Sequence, residues 1–183
     1  MTTTTTAKTQ IPAGTWQVDP VHTTASFKVR HLELSDYAGS FSDVGAELTV
    51  SDDGETALTG YAEVNSLKLD DGDLRGHLLS PDFFDAERHP RIAYNAHDVR
   101  YEGDEVIVDG ELKIKDHAGD VQVRGHRSGP VEGFDGKRHI ALELAAQVDR
   151  TQYGLNWEAQ TADGTNVLDN TVTLEVHVEL VEA

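Results

Sequence analysis

The sequence predicts an all-β protein, a barrel of about eight antiparallel strands with a short helical insertion near residues 71–88. Three observations lead to this prediction. Apolar and polar residues alternate along most of the chain, which is the pattern of strands with one buried face. Short clusters of Gly and Asp separate the alternating runs. One segment near the middle has helical spacing instead.

The alternation is clearest at the C-terminus. From Thr171 to Leu180 every second residue is Val or Leu, and the residues between them are Thr, Glu or His. The stretches 106–115 and 140–148 have the same pattern, so each predicts a strand with one apolar face. Weaker alternating runs bring the expected number of strands to eight or nine. These runs lie at residues 15–19, 24–31, 45–50, 57–67, 91–100 and 120–131.

The connections between these runs are short and rich in turn residues, as in Asp52–Gly54, Glu102–Asp104 and Asp135–Gly136. Such connections favour antiparallel neighbours. Closing the sheet into a barrel would remove its edges and leave room for one ligand, whereas a two-sheet sandwich would pack the same strands with no cavity. Periodicity alone does not separate these two architectures.

The segment from Asp71 to Arg88 has apolar residues at helical spacing and predicts one or two short helices. Ser80-Pro81-Asp82 has the residue types of a helix start, since Ser can cap free N–H groups and Pro suits the first helical position. An apolar helical segment in an all-β chain is expected to cap one barrel mouth or lie across the flank.

Composition excludes several classes of function. The formal net charge of −18 disfavours binding to nucleic acid, because it repels phosphate. The absence of Cys excludes disulfides, thiolate nucleophiles and Cys-ligated metals. No stretch has the roughly 20 apolar residues of a membrane span, and no secretion signal is recognisable, so we expect a cytoplasmic protein. Residues 1–12 are expected to be a disordered tail, and residues 13–183 the barrel domain.

Several motifs, taken in order, resemble the YceI family of lipocalin-like barrels over residues 14–182. The most specific is GHLLSPDFFDAERHP at Gly76–Pro90. Each motif alone is weak, and the resemblance depends on their order and spacing. The other motifs are Trp16–Thr23, Phe27–Leu32, Gly39–Phe41, Gly110–Ile114 and Val148–Gly154.

The resemblance implies a lipocalin-like antiparallel barrel around an apolar channel that binds polyisoprenoids or other long-chain lipids, often in a dimeric protein. It therefore implies non-enzymatic binding, carriage or storage of such a ligand, with no cofactor and with a homodimer as a further expectation. Apolar residues inside such a barrel would line the channel. The candidate ligand-binding residues are Phe27, Val29, Leu78, Phe83, Phe84, Tyr94, Leu112, Ile114, Leu142, Leu144, Tyr153 and Trp157.

Four polar residues are candidates for the channel mouth, where a ligand's polar end would lie: His22, His31, Arg75 and His77. No catalytic residue and no metal site is predicted, because the sequence lacks nucleophile-elbow and phosphate-loop motifs and lacks HxH and HExxH spacing. Two alternatives stay open at this point. One is a small enzyme for a lipid-tailed substrate with His77 or His31 as acid and base, and the other is a ligand-free β-sandwich interaction module.

Overall fold

The computed structural model describes residues 11–183. It contains eleven β-strands, one α-helix (α1, Gly72–Leu79) and two short 3₁₀ turns at Val64–Ser66 and Arg150–Tyr153. The strands are β1 (Gly14–Val18), β2 (Thr24–His31), β3 (Ser35–Phe41), β4 (Val44–Val50), β5 (Thr56–Glu63), β6 (Leu67–Lys68), β7 (Arg91–Glu102), β8 (Glu105–Ile114), β9 (His117–Glu132), β10 (Arg138–Asp149) and β11 (Leu168–Glu182).

Eight of the strands form a closed antiparallel barrel. Their order is β1-β4-β5-β7-β8-β9-β10-β11, and β11 pairs again with β1. In the closing pair Trp16 lies opposite Glu182, and Val18 lies opposite Leu180. The predicted all-β barrel is therefore confirmed, and the sandwich alternative is wrong, because the sheet returns to its own first strand.

The three other strands extend the wall at one end. The C-terminal part of β11 pairs with β1, whereas its longer N-terminal part pairs with β2, so one edge of a single long strand carries both. β3 then pairs with β2, and the two-residue β6 pairs with β3. This arrangement places β2, β3 and β6 beside the segment that contains α1.

One end of the barrel is filled by side chains. The fully buried Trp16 packs there with Leu48, Val108 and Leu180, and its indole N–H donates to the carbonyl of Pro12 at 3.1 Å. Ile11 is buried in the same cluster, so the packed part of the chain includes residues 11 and 12. The rest of the expected N-terminal tail lies outside the described residues.

The predicted helix exists, but its predicted start at Ser80 is wrong. Asp71 caps the N-terminus of α1, since its carboxylate accepts from the backbone N–H groups of Asp73 (2.9 Å) and Leu74 (3.0 Å). Ser80 instead ends the helix, with extended backbone angles (φ −72°, ψ 170°) and a hydroxyl that donates to the carbonyl of His77 at 2.7 Å. The reason is Pro81, whose ring disfavours a helical conformation for the residue before it.

Across residues 11–183, α1 included, the structure has no helix with the length and apolar character that crossing a bilayer requires.

Candidate functional site: an apolar cavity in the barrel

The barrel encloses a cavity of about 510 Å³. It exists because alternate residues of each strand point inward. On β10 these are Leu142, Leu144, Ala146 and Val148, and the facing residues of β11 have the same alternation. The filled end closes the cavity on one side, and α1 with the turn after it forms part of the wall on the other.

All twelve apolar residues proposed from the sequence as ligand-binding lie in the cavity wall. They come from strands, from α1, and from the segments that follow α1 and β10. Their position is thus established, and their role in binding stays a prediction. The twelve are Phe27, Val29, Leu78, Phe83, Phe84, Tyr94, Leu112, Ile114, Leu142, Leu144, Tyr153 and Trp157.

An aromatic cluster lies where the α1 segment meets the loop after Tyr153. The His77 ring meets Phe83 edge to face, with centroids 5.0 Å apart, and meets Trp157 in the same way at 5.5 Å. The rings of Phe83 and Trp157 are themselves 5.7 Å apart. These contacts connect two segments that are distant in sequence and give this part of the wall a defined aromatic surface.

Two of the four predicted mouth residues, His31 and His77, line the cavity. Both are partly exposed, which places them where the cavity wall reaches the surface. The Nε2 atom of His77 is 3.4 Å from the carboxylate of Asp82. His77 therefore combines aromatic packing with one polar contact at the rim.

The other two predicted mouth residues, His22 and Arg75, lie outside the cavity wall. Arg75 donates from Nε to the carbonyl of Leu67 and from a terminal nitrogen to that of Asn65, each at 2.7 Å, so it holds α1 against the preceding chain. His22 lies in the turn between β1 and β2 and contacts Asp19 at 2.9 Å. That turn is next to the filled end of the barrel, since Asp19 donates from its backbone N–H to Glu179 near the end of β11.

Sequence reasoning missed Tyr37 and Arg150, which also line the cavity. Burial raises the pKa of Tyr37, and the nearby carboxylates of Asp71 and Asp70 raise it further. Tyr37 was missed because β3 has no clear alternation. Arg150 belongs to the motif Val148–Gly154, which supports the family resemblance but contains no local pattern that indicates a cavity residue.

Arg150 is buried and binds backbone carbonyls. Its Nε donates to Asp169 at 2.9 Å, and one terminal nitrogen donates to Leu155 at 2.5 Å and to Trp157 at 2.9 Å. Burial lowers the pKa of Arg150, with the nearby acidic residues acting in the opposite direction. The guanidinium therefore fixes the loop that carries Trp157 into the cavity wall.

The hydroxyl of Tyr94 is also bound to backbone. It lies 3.0 Å from the carbonyl of Val121 and 3.2 Å from that of Val108, where it can donate to either. Burial raises the pKa of Tyr94 to about 12, and the charge of Asp109 adds to this. Because its polar atom has partners in the wall, Tyr94 presents mainly its ring to the cavity.

The fold and the cavity define a closed antiparallel β-barrel with an apolar interior. The chain matches the YceI-like domain family over residues 16–180, and it belongs to that family. A UPF0312 protein of Staphylococcus epidermidis is 27% identical over 167 residues, which cover 88% of this chain and 94% of the relative. A UPF0312 protein of Staphylococcus aureus is 26% identical over the same length.

Solved structures share the fold. BcnA of Burkholderia cenocepacia superposes with a TM-score of 0.74 at 17% identity, covering 88% of this chain and 98% of that one. The YCEI protein of Campylobacter jejuni gives 0.71 at 22% identity, covering 85% and 91%. A polyisoprenoid binding domain from Saccharophagus degradans, implicated in plant cell wall breakdown, gives 0.67 at 14% identity, covering 92% and 98%.

Proposed function

We propose that the protein binds a long apolar molecule, a polyisoprenoid or a long-chain lipid, inside the barrel and carries or stores it without chemical change. The observation that carries this proposal is the cavity of about 510 Å³ with an almost entirely apolar wall. Its size falls within the range of roughly 300–1,000 Å³ that is typical of small-molecule sites. A homodimer and a cytoplasmic location stay predictions.

Burial of hydrocarbon supplies the binding energy in this proposal. Each CH₂ group moved from water into an apolar site contributes about 0.8 kcal/mol, so a five-carbon isoprene unit contributes about 4 kcal/mol. The chain needs no specific polar contact for this gain. A polyisoprenoid is the ligand class that the S. degradans relative suggests, and a linear or branched acyl chain has the same physical basis for binding.

The polar end of the ligand would lie near His31 and His77, the partly exposed histidines of the wall. The alternative of an enzyme with His77 as acid or base has one supporting observation, its contact with Asp82. The aromatic contacts of His77 with Phe83 and Trp157 support a packing role instead. A binding protein releases its ligand unchanged, whereas an enzyme would convert it.

The experiment that tests the proposal is native mass spectrometry of the gently purified protein, followed by chemical identification of any retained molecule. We expect one apolar ligand per chain. Ala146→Phe should reduce retention strongly, because Ala146 lines the cavity and the added ring would occupy part of the space that the ligand needs. The matched control is Ala145→Phe, since Ala145 directly precedes Ala146 on β10 and is exposed on the outer face.

Circular dichroism of each variant would check the fold, and Ala146→Leu provides a smaller filling residue if Phe prevents folding. Equal retention by the folded Ala146 and Ala145 variants would contradict the proposal, as would an empty wild-type protein that takes up no added geranylgeraniol. Recovery of the added lipid in a changed chemical form would favour the enzyme instead.

A further inference from the structure

Three side chains from two segments that are far apart in the sequence meet on the outside of the barrel, next to its filled end. They are Asp19 and His22 in the turn between β1 and β2, and Glu179 on β11. One ligand atom from each, an imidazole nitrogen or a carboxylate oxygen, lies within 4.8 Å of the other two. We call this group the turn cluster. None of its members lines the cavity, so the proposed lipid-binding function leaves it unexplained.

Backbone and side-chain hydrogen bonds hold the turn cluster in place. The N–H of Asp19 donates to the carbonyl of Glu179 at 2.8 Å. The N–H of Glu179 in turn donates to the hydroxyl of the buried Thr23 at 3.2 Å. One carboxylate oxygen of Asp19 accepts from the N–H of Val21 at 2.8 Å, and the other lies 2.9 Å from Nδ1 of His22. The turn is therefore fixed to β11 at the residue that contributes the third ligand.

A second histidine orients Glu179 from the other side. Nδ1 of His139 lies 2.9 Å from a carboxylate oxygen of Glu179, and its Nε2 lies 3.1 Å from the carboxylate of Asp135. His139 thus lies between two carboxylates, that of Asp135 and that of Glu179, and contacts each with one ring nitrogen. Such outer partners orient ligands and tune affinity in protein metal sites.

We propose that Asp19, His22 and Glu179 bind a divalent transition-metal ion of the Zn²⁺ type, with His139 as the positioning residue for Glu179. One imidazole and two carboxylates are ligands that Zn²⁺ takes at about 2.0–2.2 Å, and a water molecule completes four-coordination. The formal net charge of −18 raises the local concentration of cations around the protein. The bound ion joins the turn between β1 and β2 to the end of β11, where the barrel closes.

The test is calorimetric titration of ZnCl₂ into the tag-free, EDTA-treated full chain. We expect one site per chain that is lost in His22→Ala. The imidazole of His22 is 62% exposed, so this change should leave the fold intact. His139→Ala should weaken binding by about 10- to 100-fold, the usual effect of removing an outer partner. The matched control is His177→Ala, because His177 is similarly exposed (58%) and contacts one carboxylate, that of Glu143.

Thermal unfolding gives a second readout. An ion that binds only the folded chain stabilises it by mass action, so ZnCl₂ should raise the Tm of the wild type and of His177→Ala but not of His22→Ala. The proposal is overturned if His22→Ala keeps the wild-type stoichiometry and affinity, or if His177→Ala loses binding to the same extent. A titration of the wild type that shows no site for Zn²⁺, Co²⁺ or Ni²⁺ also overturns it.

Discussion

Tyr94 shows how one residue keeps a polar atom out of an apolar cavity. Its hydroxyl lies between the carbonyls of Val108 and Val121, and burial raises its pKa to about 12. The folded protein therefore keeps this proton to a higher pH than the unfolded chain, whose Tyr pKa is about 10. The stability from Tyr94 is fully present below about pH 10 and is lost as the pH rises towards 12.

We predict that Tyr94→Phe lowers the free energy of unfolding by about 1 kcal/mol at neutral pH, because one hydrogen bond is lost. The same change should flatten the decrease in stability between neutral pH and about pH 11. Urea unfolding over this range measures both effects. Tyr61→Phe is the control, since Tyr61 is exposed. Identical pH dependence in wild type and Tyr94→Phe would contradict the assignment.

At the scale of elements, α1 is held at its N-terminus and by one side chain from its middle. Asp71 caps its first turn, and Arg75 fixes it to the carbonyls of Leu67 and Asn65. We predict that Asp71→Ala lowers stability by about 0.5–2 kcal/mol, the usual cost of losing such a cap. The control is Asp70→Ala, which changes an exposed carboxylate one residue before the cap.

Hydrogen exchange is the measurement that separates the two variants. The amides of Asp73 and Leu74 donate to Asp71, so they should exchange faster in Asp71→Ala and stay unchanged in Asp70→Ala. If these amides exchange at the same rate in both variants, the carboxylate of Asp71 does not stabilise the helix.

Most elements could be predicted from alternation, and the misses have physical reasons. β3 was missed because its residues, SDYAGSF, have no run of Val, Ile or Leu. Its strand conformation depends on pairing with β2 along seven residues. The turn between them was also hidden, since Leu32 (φ 51°) and Glu33 (φ 57°) adopt left-handed conformations that turns usually assign to Gly or Asn.

At the scale of the whole molecule, the negative charge of the protein affects which polar head group a ligand can have at the cavity mouth. Asp70 and Asp71 lie close enough to Tyr37 to raise its pKa, after the larger effect of burial, and Asp82 lies beside His77. The formal net charge of the chain is −18. If the proposed function holds, a neutral isoprenoid alcohol should therefore bind better than the same chain with a diphosphate, because like charges repel at the rim.

We predict that geranylgeranyl diphosphate binds about five- to tenfold more weakly than geranylgeraniol at low salt, a difference of about 1–1.4 kcal/mol. The difference should shrink at about 1 M NaCl, where the screening length falls to roughly 3 Å. Displacement of a fluorescent lipid measures both affinities. Tighter binding of the diphosphate at low salt would contradict the electrostatic reasoning, whereas no binding of either compound would contradict the proposed function itself.

The sequence predicted which residues would line the cavity better than it predicted that the barrel closes around a cavity. Inward positions on the strands follow from alternation, as for Leu142 and Leu144 on β10, whereas the candidates on α1 and in the segments after α1 and β10 came from the family resemblance. Closure could not be predicted in this way, because the pairing of Trp16 with Glu182 joins the two ends of the domain and leaves no local signal. The position of Arg75 also depended on its hydrogen bonds to the carbonyls of Leu67 and Asn65, and that of His22 on a turn that the backbone bond from Asp19 to Glu179 holds against β11.

The most direct measurement of the central claim is a crystal structure of the protein grown with geranylgeraniol. We expect continuous density for the lipid chain inside the barrel, running from the rim at His77 to the wall formed by Leu142 and Leu144. Density confined to the outer surface, or an interior closed by the protein's own side chains, would contradict it.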